Sequence, residues 1–212
     1  MLPSEIPLFP LPNVVLFPAA LLPLHIFEPR YRAMVGDALD GERLIGMVML
    51  RPGWERDYES APPVYPVGCA GFITHADRLP DGRYNIMLRG LEKFRIAQER
   101  RAGTGTEMYR VARVESIVEP AHHGASSTSE LSDARKRLER LIAKRLHRAA
   151  DETIPKDIAD DDLVHAIAQH LEPLEKQALL ECDGLLQRCR TLVELLEMRM
   201  MATGPAGKIR MH

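Results

Sequence analysis

An α+β protein in two consecutive parts is predicted by three features of the chain. These are a proline-broken apolar ribbon at the start, a series of short extended segments up to residue 120, and helical periodicity from residue 121 onward. Residues 1–120 read as a β-rich subdomain with one short helix, and residues 121–212 as a helical bundle. With 212 residues, 45% of them hydrophobic, the chain can bury a substantial core.

The ribbon from Ile6 to Val35, IPLFPLPNVVLFPAALLPLHIFEPRYRAMV, organises the first part. Pro7, Pro10, Pro12, Pro18 and Pro23 exclude a continuous helix, and each residue before a proline is pushed toward extended geometry. IPLFPLPNVVLFP therefore reads as two short extended segments, with strands confined to edges, starts or bulges because proline lacks the N–H a ladder needs. LPLHIF, Leu22 to Phe27, reads as a further strand. Pro29 suits a first helical turn, Tyr31, Met34, Val35 and Ala38 recur at helical spacing, and Gly41 supplies a stop.

RLIGMVML follows as a short buried strand, and residues 51–63 as a polar, proline-rich loop holding Trp54 and Tyr58. VYPVGCAGFITHADRL and RYNIMLRG form a hairpin around Leu79-Pro80-Asp81-Gly82, where proline presets φ and glycine takes the left-handed exit. Gly90 marks a bend or bulge before LEKFRIAQER, and MYRVARVESIVEP gives one more strand after a RAGTGTE turn. About six strands with one short helix suggest a partly closed antiparallel barrel or sandwich.

AHHGASSTSE is a linker, and the periodicity beyond it is helical. Ser129 is placed to cap a helix carrying Leu131, Leu138, Leu141, Ile142 and Leu146, with the basic run Arg135 to Arg148 as its wet face. Asp160, Asp161 and Asp162 favour the start of a second helix by complementing its dipole, and Pro173 opens a third. Asp183 is placed to cap the last and longest, with Gly204-Pro205 ending it and a frayed tail after.

The composition excludes several function classes. With 28 basic and 30 acidic residues the net charge is −2, without the electrostatic footprint of a nucleic-acid binder. Cys69, Cys182 and Cys189 form no CxxC pair and suggest a reducing compartment, and the ribbon resembles neither a signal peptide nor a membrane span, so a cytoplasmic location off the membrane is expected. There is no phosphate-cradling GxxxxGK[ST], since Gly207-Lys208 has the wrong spacing, and no GxSxG, HExxH or GxGxxG. His122 and His123 lie in the linker, His165 and His170 share a helix face poorly, and Cys182 and Cys189 fit core filling, so no metal site is expected.

IPLFPLPNVVLFP, LPLHIFEPRY, RLIGMVML, YPVGCAGFI, LPDGRYNIMLRGLEKFRI, YRVARVE and EKQALLE stand in the order and spacing of one known family. On these segments the chain resembles the N-terminal substrate-binding domain of Lon proteases. The resemblance implies a PUA-like β pseudobarrel followed by a helical bundle, acting as a sensor for unfolded or tagged polypeptide. It also implies a stand-alone homologue without the ATPase and serine-lysine peptidase modules, hence no catalysis and no cofactor. The implied partners are unfolded or tagged polypeptides and a separate protease.

The apolar ribbon is the expected binding surface, since extended peptides add to open strand edges or lie in apolar grooves. Its candidate contact residues are Phe17, His25, Phe27, Tyr31, Trp54 and Tyr58. The rival reading is a small-molecule site or enzyme using His25, Glu28 and Arg30 as base, carboxylate and anion clamp. Against it, Glu28 can satisfy first-turn N–H groups of the helix while Arg30 pairs locally. RNA binding follows only from fold analogy.

Overall fold

The structure is a computed structural model that describes residues 2–56, 61–100, 108–118, 125–146, 154–155 and 157–202. Tyr58, the RAGTGTE turn, His122, His123, Arg148 and Gly204-Pro205 lie outside the described residues. Residues up to Val118 form one compact unit and those from Glu119 a second.

The first unit runs β1 (Glu5–Leu11), β2 (Leu21–Ile26), α1 (Pro29–Asp40), β3 (Leu44–Met49), a short 3₁₀ turn (Trp54–Arg56), β4 (Val67–Arg78), β5 (Tyr84–Arg100) and β6 (Arg110–Ser116). The strands form one sheet in the order β2-β5-β4-β3-β1-β6, and β5 also pairs with β6. That last pairing closes β1, β3, β4, β5 and β6 into a barrel and leaves β2 outside it. The sheet is not wholly antiparallel, because β1 and β3 run parallel. Parallel neighbours need a long crossover, and α1 lies in it.

The prolines of β1 are accommodated by a change of partner halfway along the strand. Glu5 to Leu8 pair with β6, whereas Leu8 to Leu11 pair with β3. Pro7 and Pro10 therefore each lie in a half-strand with one neighbour, where a missing N–H costs no ladder bond on the open side. Ile6 and Leu8 point into the barrel core with Val48, Ala70, Phe94, Ala112 and Val114.

The second extended segment expected in the ribbon is not a strand. Val14 to Phe17 run without a ladder, and Leu16 and Phe17 are buried, each 2% exposed. Ala19 turns the chain at φ 62°, and its N–H donates to the Gly90 carbonyl while the Gly90 N–H donates to Ala20. This crossing explains Gly90 more fully than a bend does, since a Cβ there would collide with the Phe17 carbonyl oxygen. The β4–β5 register also shifts opposite it, between Cys69 and Gly71.

Helix α1 starts at Pro29 and ends at Gly41, whose N–H donates to the Asp37 and Ala38 carbonyls. Glu28 holds the N-cap position, but its side chain makes no cap bond. Its carboxylate instead accepts from Arg30, at 3.0 Å from Nε and 2.8 Å from Nη2.

The second unit contains, among the described residues, α2 (Ala125–Leu146), α3 (Asp160–Ala168), α4 (Pro173–Glu181) and α5 (Gly184–Ala202). Ser129 does not cap α2, because the helix begins earlier and places Ser129 inside it. Leu138 and Leu192 are fully buried, and ion pairs Arg137–Glu197 and Arg190–Glu130, both 2.8 Å, link α2 to α5. Asp160, Asp161 and Asp162 occupy the first turn of α3, and Arg135 of α2 pairs with Asp160 there. Pro173 opens α4 behind a capping box in which the Glu172 N–H donates to Glu175 at 2.9 Å.

Candidate functional site

Strand β2 is, among the described residues, the strand with a single neighbour. It pairs with β5 from Leu21↔Arg89 to Ile26↔Tyr84. Further along, the same β5 pairs with β6 from Phe94↔Ser116 onward, so β2 covers the part of β5 that the barrel leaves free. The Gly90–Ala20 hydrogen bond fixes the alternation: Leu22, Leu24 and Ile26 direct their backbone groups to β5, and Leu21, Pro23 and His25 direct theirs to the open side. Pro23 thus sits where no ladder donor is required, which is the reason a proline is tolerated in the middle of this strand.

Side chains follow the same period of two. Leu22, Leu24 and Ile26 stand over Leu88, Ile86 and Tyr84, and the inner face is closed, with Ile26 2%, Leu88 0% and Ile86 3% exposed. Leu21, Pro23 and His25 form the outer face, opposite Arg89, Met87 and Asn85 of β5. The next strand continues that face with Phe72, His75 and Asp77 of β4. Leu21 is 59% exposed and Phe27, just past the strand, 61%. These two large apolar side chains lie outside the core and are open to solvent.

The polar groups on this face hold its shape. His25 Nδ1 lies 2.7 Å from Asn85 Oδ1, and Arg83 donates to His25 Nε2 at 3.3 Å. Asn85 and Arg83 thus hold the His25 ring between them from its two nitrogens. The ring lies roughly parallel to Phe27 at 6.3 Å. Arg83 also pairs with Asp81 at 2.6 Å across the turn. The Arg83 side-chain hydrogen bond is the main reason the Asp81 carboxyl is held below the usual carboxylate range, and Asp81 in turn raises Arg83.

The residues singled out in the sequence are not all gathered here. His25 and Phe27 are on the outer face. Phe17 is in the core under the chain crossing. Tyr31 is 4% exposed, packed on Phe9 at 4.4 Å, with the Arg30 guanidinium 4.6 Å from its ring centre. Neither therefore offers a surface, since both side chains are buried. Trp54 is half-buried in the 3₁₀ turn after β3, and β3 is separated from β2 by β4 and β5. His25 is engaged by Asn85 and Arg83, while Glu28 pairs with Arg30, so the three do not converge as a catalytic group. Leu21, Met87 and Phe72 share this outer face and were not among the residues singled out in the sequence. The signal was there in part, since a proline in mid-strand demands an open edge and the period of two then exposes every second neighbour.

In chain order the protein is a closed β barrel with one outlying strand, followed by a helical bundle. The chain belongs to the family described as the ATP-dependent protease La (LON) substrate-binding domain, which matches residues 5–198. It is 28% identical to Lon protease 2 of Myxococcus xanthus over 213 residues, covering 98% of this chain and 25% of that protein. The chain thus spans about a quarter of the length of such relatives. Among solved structures, the N-terminal domain of Mycobacterium avium complex Lon protease superimposes with a TM-score of 0.67 at 17% identity, covering 91% of this chain and 98% of that one. The Lon N-terminal domain protein from Xanthomonas campestris gives 0.59 at 21% identity, covering 95% and 99%. These likenesses establish the α+β fold. No helix among the described residues is long and apolar enough to cross a membrane.

Proposed function

We propose that this chain is a non-catalytic polypeptide-binding module that takes unfolded or tagged segments on the outer face and open edge of β2, for delivery to a protease. The observation that carries the reading is the pairing of a one-sided strand with exposed Leu21 and Phe27. An extended client would lay alternate apolar side chains against Leu21, Phe27 and Met87. Its backbone would meet the N–H groups of Leu21 and His25 and the carbonyls of Leu21, Pro23 and His25.

Burying a large apolar side chain is worth about 1.5–3 kcal/mol. Part of that is spent on ordering a flexible client, so recognition here is weak and broad rather than tight and selective. Family membership supports substrate binding as the role. The proposal is tested by fluorescence anisotropy of a labelled, permanently unfolded polypeptide titrated with the parent, Leu21→Ser and Phe27→Ser proteins. The variants are expected to keep their fold and each lose several-fold in affinity. Equal binding by folded variants would remove the β2 assignment.

A further inference from the structure

The helical unit holds a cavity of about 550 Å³, within the roughly 300–1,000 Å³ typical of small-molecule sites. Leu141 and Ile142 of α2, Ile167 of α3 and Leu196 and Met200 of α5 supply much of its wall. The described lining contains no aromatic and no acidic side chain. It does contain three basic ones, Arg145, His170 and Arg199. Arg199 is already bound in a two-pronged pair with Glu175, with Nε at 3.1 Å. Arg145 and His170 are exposed, so they stand where the lining meets water.

This combination restricts the ligand. A chamber of aliphatic branches offers dispersion contacts to a flexible hydrocarbon and no hydrogen bonds to a polar interior group. At the rim Arg145 favours an anionic head, because a carboxylate gains a charge-assisted bond there that a neutral or cationic head does not. A volume of about 550 Å³ is enough for one medium-length alkyl chain with its head.

We propose that the cavity of the helical unit is a binding site for a medium-length aliphatic carboxylate, with the tail among Ile142, Ile167 and Leu196 and the head held by Arg145. The site lies wholly within the second unit and is distinct from the β2 surface.

The test is isothermal titration calorimetry of the full chain with decanoate below its micellar concentration, with decanol and decylamine as comparators. The expected result is saturable one-site binding of decanoate, at least tenfold weaker binding of decanol, and none of decylamine. Arg145→Glu, at an exposed position, is expected to weaken decanoate at least tenfold, and Ile167→Trp to fill the chamber and abolish it. If Ile167→Trp fails to fold, Arg145→Glu decides alone. Equal affinity for decanoate and decanol, an unchanged Arg145→Glu variant, or no saturable heat would each overturn the proposal. Displacement of decanoate by unfolded polypeptide would also overturn it, by assigning the chamber to polypeptide. Polypeptide binding at β2 is measured separately in Ile167→Trp and is expected to be unchanged, so the two sites stand or fall independently.

Discussion

Strands β1 and β2 come from the same proline-rich ribbon and have nearly the same composition, EIPLFPL and LLPLHI. Their fates are opposite. β1 is divided between two neighbours, and Ile6, Leu8 and Phe9 are 1%, 0% and 4% exposed. β2 has one neighbour and leaves Leu21 at 59%. Proline and leucine therefore do not decide between barrel wall and open edge. The number of neighbouring strands does, and here it is set by where β5 bends from β2 to β6.

The largest expected effect of breaking this contrast is on the β1 side. Leu8→Ala would open a cavity in the barrel core and cost about 2–5 kcal/mol. Leu21→Ala, the matching change on the open strand, is expected to stay within about 0.5 kcal/mol. Urea unfolding of the two variants measures both. Next comes the crossing that holds β2 in place. Gly90→Val would drive a side chain into the Phe17 carbonyl and is expected to cost about 1–3 kcal/mol. Fast amide exchange at Leu22 and Leu24, with the barrel strands still protected, would show the loss falling on β2.

Pro23→Thr sharpens the comparison further by giving the open edge the donor it lacks. Stability is expected to change by less than about 0.5 kcal/mol, while a continuous edge invites pairing between chains, visible as concentration-dependent light scattering. The smallest effect concerns the turn beside His25. Asp81 is depressed by Arg83, so its contribution is present above the unfolded carboxylate range and is lost as pH falls through its folded value. Asp81→Asn is expected to remove a small acid-side loss of stability below about pH 4, measured by thermal melts. Both groups are exposed, so the change is slight.

Local rules made much of the fold legible. Pro29 and Gly41 bracket α1 as read, the Leu79–Gly82 turn carries a left-handed Gly82 at φ 80°, and Pro173 opens α4. Each of these depends on the conformation of one or two residues. What escaped depends on distant partners. The parallel β1–β3 pairing joins segments separated by β2 and α1, and nothing in Val14 to Phe17 shows that it will cross Gly90 instead of forming a strand. Ser129 was misread because good helix caps also occur inside helices. The candidate site was half legible for the same reason. His25 and Phe27 stand out by chemistry, but the exposure of Leu21, and the burial of Phe17 and Tyr31, are set by pairing and packing.

The account rests on the outer face and open edge of β2 being the client surface. Residue-resolved amide hydrogen exchange, with and without saturating unfolded polypeptide, tests it most directly. The account predicts that the Leu21 and His25 amides, directed away from β5, exchange quickly in the free protein and slow markedly on binding, while Leu22 and Leu24 are slow in both states. Protection that develops elsewhere in the chain, with Leu21 and His25 still exchanging freely at saturation, would contradict it.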